Sequence, residues 1–141
     1  MRQIAALLIA VPLISATAPT ASVEVDLTAL RSTKGSIQAC LTRSPSHFPN
    51  CRTDPDALKK TVRADVRKLQ FRDIPAGRYA VAVFHDENAN QKLDTVVGIP
   101  KEGFGFSRNP VVRFGPPRFD KVSIELAPGF TRTSVRMQYV L

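Results

Sequence analysis

The chain has 141 residues, a formal net charge of +8 and a 43% share of hydrophobic residues. That length supports one domain around a single core and is too short for two. Its cations are scattered rather than gathered in a recognisable nucleic-acid motif, so a nucleic-acid module is not expected.

Arg2 precedes an apolar stretch from Ile4 to Ile14, and small residues follow from Ser15 to Ser22. Positive charge, apolar core and small-residue exit, in that order, make a secretory signal. The stretch falls short of the ~20 apolar residues that span a bilayer. The other reading is a buried N-terminal helix. The expected organisation is a signal peptide over 1–22 and one domain over 23–141, exported to the periplasm or beyond, with no transmembrane segment in the mature chain. A cut after Ala18 also satisfies the small-x-small rule but puts Pro19 next, so cleavage is expected after Ser22. Losing Arg2 would take the charge from +8 to +7.

Val23, Val25 and Leu27 alternate with Glu24, Asp26 and Thr28, the period of a half-buried strand. Ile37, Ala39 and Leu41 repeat the pattern after Gly35, which turns Cys40 away from the core. Cys40 and Cys51 are the only cysteines. In an oxidising compartment such a pair reads as a disulfide, here pinning the surface loop 44–56. Metal ligation by the two thiols would need further Cys or His, and only His47 is near. Asp54-Pro55 is a good helix start, yet Val62, Ala64 and Val66 alternate as a strand would. A short helical segment over 55–60 followed by a strand over 61–66 is expected, with a longer helix as the alternative.

Asp73-Ile74-Pro75-Ala76-Gly77 forms a turn, and the apolar run from Arg78 to His85 reads as a central strand with Tyr79, Val81 and Val83 on one face. Residues 86–118 lack periodicity and read as long loops, which in compact domains are usually functional or disordered. The chain closes as a hairpin: Val122, Ile124 and Leu126 on one strand, Val135, Met137, Tyr139 and Leu141 on the other. Short strands between Gly/Pro turns predict an all-β fold, an antiparallel β-sandwich.

The stretch 85–94 carries oxygen side chains at alternate positions. Asp86, Asn88, Asn90, the Lys92 carbonyl and Asp94 occupy the places that a tight Ca²⁺ loop fills. Gln91 stands where such loops prefer Gly, and Val97 where they use a bidentate Glu. Two carboxylates would give weak binding, ~10⁻⁴–10⁻³ M. The competing reading is a loop whose Asp and Asn side chains cap their own turns.

Two runs carry a family resemblance. One is Pro75-Ala76-Gly77-Arg78-Tyr79-Ala80-Val81-Ala82-Val83-Phe84-His85-Asp86-Glu87-Asn88-Ala89-Asn90. The other extends from Gly98-Ile99-Pro100-Lys101-Glu102-Gly103-Phe104-Gly105-Phe106-Ser107 to Arg113-Phe114-Gly115-Pro116-Pro117. Together they resemble the uncharacterised secreted bacterial family called domain of unknown function 2141. Asn88-Ala89-Asn90-Gln91 stands where that family usually has Asn-Gly-Asn-Gly. The resemblance implies a transthyretin-like or immunoglobulin-like sandwich in the cell envelope and implies no activity.

Phe104, Phe106, Arg108, Asn109 and Arg113 interleave aromatic and polar groups that can stack on or bond a ligand. The competing reading is that these phenylalanines fold the loop onto the sandwich. Ser/His/Asp chemistry needs a supported base, and His47 and His85 sit in dissimilar contexts. A zinc site needs three or four ligands, which two histidines beside a disulfide do not supply without carboxylates. The expectation is a non-enzymatic envelope module that binds a ligand or partner through the 86–118 loops, with Ca²⁺ as the one cofactor in view. Anionic envelope polysaccharide, phospholipid or another envelope protein are the partners at hand. The alternative is an envelope hydrolase using Asp86, Glu87, Asp94 or Glu102, which requires two carboxylates flanking a cleft ~5–10 Å apart.

Overall fold

The structure, a computed structural model, describes residues 9–141. Arg2 and the first part of the apolar stretch expected of the leader lie outside the described residues. In chain order the elements are β1 (Thr20–Thr28), β2 (Ser36–Thr42), a 3₁₀ turn (Cys51–Thr53), β3 (Leu58–Arg63), β4 (Lys68–Pro75) and β5 (Gly77–Asp86). There follow β6 (Thr95–Val96), β7 (Ile99–Pro100), β8 (Gly103–Phe106), the one-turn helix α1 (Phe119–Val122), β9 (Ile124–Leu126) and β10 (Gly129–Arg136).

Two sheets face each other, as expected of a β-sandwich. One has the order β10-β1-β4 and the other β3-β2-β5-β8, with β9 paired to the start of β5 beside β8. Alternation decides which side chains meet. Val23, Val25 and Leu27 of β1 and Ile37, Ala39 and Leu41 of β2 fill the space between the sheets. Tyr79, Val81 and Val83 join them there with Leu126, Val135 and Met137, as the spacing predicts, and Ile124 packs at the margin.

The sheets meet along one edge, where the backbones of Phe104 and Gln138 exchange hydrogen bonds of 3.0 and 2.7 Å. This approach requires Gly105, because a Cβ there would lie 2.6 Å from Val135 Cγ1 and 2.9 Å from the Arg136 carbonyl. Between β8 and β9, Ser107 fills the gap along β5. Its fully buried hydroxyl donates to the Val122 carbonyl (2.5 Å) and accepts from the Val81 N–H (3.0 Å).

Four details differ from the expectations. Residues 55–60 are not helical: the Asp54 carboxylate accepts from the Thr42 hydroxyl (2.5 Å) and the Asp56 N–H (2.9 Å), closing a turn that sends the chain directly into β3. There Lys59 pairs with Cys40 and Val62 with Ile37, so the open edge of β2 outweighs a weak helical period. Lys59, Lys60 and Arg63 make β3 a charged edge, which discourages pairing with other chains.

The C-terminal segments are not a hairpin. Pro128 carries the chain from one sheet to the other, and β10 lies parallel to β1, with Val135 beside Leu27. Either arrangement needs one buried face per strand, so alternation alone does not separate them. Part of the expected 86–118 loop is the strand β8, whose sequence Gly-Phe-Gly-Phe puts glycines toward the core and phenylalanines outside. Finally, β1 begins at Thr20, within the segment assigned to the leader, and Ala21 is buried against Ile74 and Gly129.

Candidate functional site

The outer face of the β3-β2-β5-β8 sheet is not left to water. Its period-two positions form two cross-strand rows. Lys59, Cys40, Ala82 and Phe106 stand in one, and Thr61, Gln38, Phe84 and Phe104 in the next. The Cys40–Cys51 disulfide, with Cα atoms 6.4 Å apart, rises from this face and pulls the 44–54 loop across it. That loop delivers Phe48, whose ring meets Phe106 edge-on at 5.6 Å and Phe119 at 6.0 Å. The result is a second apolar cluster of Ala80, Ala82, Phe104, Phe106 and Val122, outside the main core.

Beside this cluster lies a groove of about 660 Å³, within the range of small-molecule sites. Ala82, Phe84, Phe104 and Phe106 line its floor, the disulfide loop forms one wall, and Gln91, Lys92 and Leu93 form the other. Three cations, Arg52, Lys59 and Lys92, stand in its lining, and no Asp or Glu does. The Arg52 guanidinium donates to the Gln91 carbonyl (2.9 Å), tying the two walls together.

The second wall is the segment singled out for Ca²⁺. Asp86 ends β5 on the same face as Phe84 and is fully buried. Its carboxylate accepts from the N–H groups of Asn90 (3.0 Å) and Gln91 (2.7 Å). Asn88 and Asn90 donate their amides to Asp94 at 2.6 and 2.9 Å. These bonds, Asn90 first and then Asn88, hold the Asp94 carboxyl below its ordinary range. The Asn90 amide oxygen accepts from the Lys92 N–H (3.0 Å). Local Asx-type bonding therefore accounts for the loop's shape. The expected ligand side chains are gathered in one loop, and among the described residues no three His, Cys, Asp or Glu side chains converge as a metal site.

Glu102 was not in the expected metal set. Its buried carboxylate accepts from the N–H groups of both Glu87 (3.0 Å) and Asp94 (3.1 Å), clasping the loop at its two ends. Glu87 is paired with Arg31, which lowers its pKa, with Ser32 adding a second hydrogen bond. None of Asp86, Glu87, Asp94 or Glu102 lines the groove.

The expected ligand-binding set divides. Phe104 and Phe106 lie in the groove floor. Arg108 instead donates to the Asp120 carbonyl (3.2 Å), and Asn109 bonds the backbone of Ser134 and Arg136, so both brace loop against strand. Arg113 is exposed on the loop beyond β8. Arg52 and Lys59 escaped the sequence reading. The usable signal was the outward-facing Cys40, since whatever follows its bonded partner Cys51 must lie over the same face.

Elsewhere, Ser44 Oγ lies 2.8 Å from His47 Nδ1, three residues on in the same turn, while the nearby Asp54 carboxylate is held by Thr42 and Asp56. No helix among the described residues is long and apolar enough to cross a membrane. The model of a bacterial family described as an uncharacterised protein conserved in bacteria, DUF2141, matches residues 25–134. No curated protein and no solved structure matches the chain.

Proposed function

We propose, for a chain that belongs to the DUF2141 family, that it is an exported binding module whose site is the groove on the outer sheet face and whose ligand is an amphipathic anion. The observation that carries this reading is the composition of the groove: an apolar floor, a rim of Arg52, Lys59 and Lys92, and no carboxylate. An apolar portion of the ligand lies along Phe84 and Phe104, removing that surface from water at roughly 25 cal/mol per Å². Its anionic group meets the rim, where bonds to charged donors are the stronger ones. The leader-like N-terminus and the disulfide support export, in whose oxidising compartments such bonds persist.

The test compares dodecanoate, dodecanol and dodecyltrimethylammonium by chemical-shift titration. Dodecanoate is expected to bind most tightly, and Arg52→Glu with Lys59→Glu to reverse the order of anion and cation. Equal shifts for all three, or shifts away from the groove, would sink the reading.

A second element is proposed for the groove wall. Ca²⁺ tightens the 86–94 loop through side-chain oxygens of Asp86, Asn88, Asn90 and Asp94 and the Lys92 carbonyl. In its support, Asp94 faces both asparagines and Asp86 ties down the backbone of residues 90 and 91. Millimolar Ca²⁺ should raise the melting temperature modestly, by mass action, and Asp94→Ala should remove that rise. Identical melting curves in chelator and Ca²⁺ would leave the loop to its own Asx turns.

A further inference from the structure

The loop between β8 and α1 is anchored from within and apolar on the outside. Val112 and Phe119 pack inward against the Ala80 and Ala82 cluster. The two ends of the loop are gathered on Asp120: Arg108 donates to its carbonyl (3.2 Å) and Arg118 to its carboxylate (3.1 Å). Gln138 holds the Pro110 carbonyl at 3.3 Å. From this base the tip projects, turning at Gly115, whose φ is +67° and whose surroundings are open.

At the tip Phe114 is 97% exposed and Val111 81%. A phenylalanine held outside on a braced loop, with a valine three residues away in the same state, is available to a partner surface. The charge around it is mainly positive. Arg108, Arg113, Arg118 and Lys121 belong to the loop and its base, and the one acidic residue among 107–121, Asp120, is already paired with Arg118.

We propose that this tip docks on an anionic lipid surface, with Phe114 and Val111 seated at the boundary between headgroups and acyl chains and the four cations facing lipid phosphates. Aromatic side chains favour that boundary. Basic residues near it are drawn to the negative surface potential within a Debye length. The charge complementarity selects the lipid: several separate cations around a short apolar tip match a surface of many phosphates. None of these residues lines the groove, so docking and ligand binding stand or fall separately.

The chain has no tryptophan, so Phe114→Trp places one reporter at the tip. With vesicles of phosphatidylcholine containing phosphatidylglycerol, its emission should shift to the blue, and added salt should reverse the shift. Phosphatidylcholine alone should give none. Phe114→Ala should weaken partitioning of the purified protein about tenfold or more, equal to ~1.4 kcal/mol. Its melting temperature should stay the same, since the side chain touches nothing that folds the domain. The proposal is overturned if emission does not move with anionic vesicles. It is also overturned if Phe114→Ala partitions as well as the unaltered protein, which would reduce the effect to net charge. Tight binding of the tip to a protein in place of either vesicle would overturn it too.

Discussion

The Tyr139 hydroxyl lies 2.8 Å from Nδ1 of His85, a residue 54 positions earlier that is fully buried at the end of β5. The other ring nitrogen, Nε2, lies 2.7 Å from the Lys34 carbonyl. A carbonyl only accepts, so Nε2 carries a proton and donates to it, and in the neutral imidazole Nδ1 then accepts from the tyrosine. Arg31 stacks over the Tyr139 ring at 4.5 Å and bonds the Leu141 carbonyl, which fastens the C-terminal segment to the end of the sandwich. Tyr139→Phe removes the one partner of a buried ring nitrogen. It should cost about 1–3 kcal/mol, measured by denaturant unfolding. A change of only a few tenths would mean that water replaces the hydroxyl.

Acid sensitivity should centre on Glu24. This carboxylate is nearly buried on the outer face of β1, where it accepts from the Gln70 amide (2.8 Å), Lys68 (3.2 Å) and Arg132 (3.1 Å). The Gln70 and Lys68 hydrogen bonds lead in holding its pKa below the ordinary value, against the opposing effect of burial. A pKa lowered on folding contributes stability that is complete above the unfolded value, ~4.3, and is lost as pH falls through the folded one. Glu87 and Asp94 are shifted in the same direction and add to the fall. The melting temperature should therefore drop on acidification below about pH 4–5. Glu24→Gln should lower it at neutral pH and make the acid slope shallower. An unchanged slope would assign the acid response to other groups.

The disulfide should matter more for the groove than for the core. Closing a loop with a sequence separation of 11 contributes ~2–3 kcal/mol by chain entropy. Cys40 and Cys51 together with alanine in their place should lower stability by about that much. The hydrogen-exchange rates of the 44–54 loop should rise while those of β1 and β4 change only with global stability. Thiol counting on the oxidised protein should find no free thiol.

β1 bears on where the proposed leader would be cut. A cut after Ser22 would take Thr20, Ala21 and Ser22 out of the strand, and with them the pairing of the buried Ala21 with Ile74 and Gly129. A cut after Ala18 leaves β1 whole. Intact-mass analysis of exported protein should place the N-terminus ahead of Thr20, and a first residue at Val23 would show that the sandwich tolerates a shortened β1.

Much of the architecture was legible in period-two alternation, because one face of each strand must leave water. That argument located Val23, Val25 and Leu27, then Ile37, Ala39 and Leu41, then Tyr79, Val81 and Val83 on the core side, and it turned Cys40 outward. Alternation is silent on which strand lies beside which. The parallel β1–β10 pairing, the strand at β3 where a helix start stood at Asp54-Pro55, and the assignment of β8 to the sheet all came from distant partners competing for open edges. The Asp86 loop was visible as a pattern of oxygens, yet its clasp by Glu102 depends on β8 returning alongside β5. The groove has the same origin. Phe104 and Phe106 were recognisable as candidates, but Arg52 joins them only because the disulfide folds one loop over the sheet face, and Lys59 only because β3 pairs with β2 beside Cys40. Local spacing determines what each strand buries; long-range pairing decides which side chains share a site.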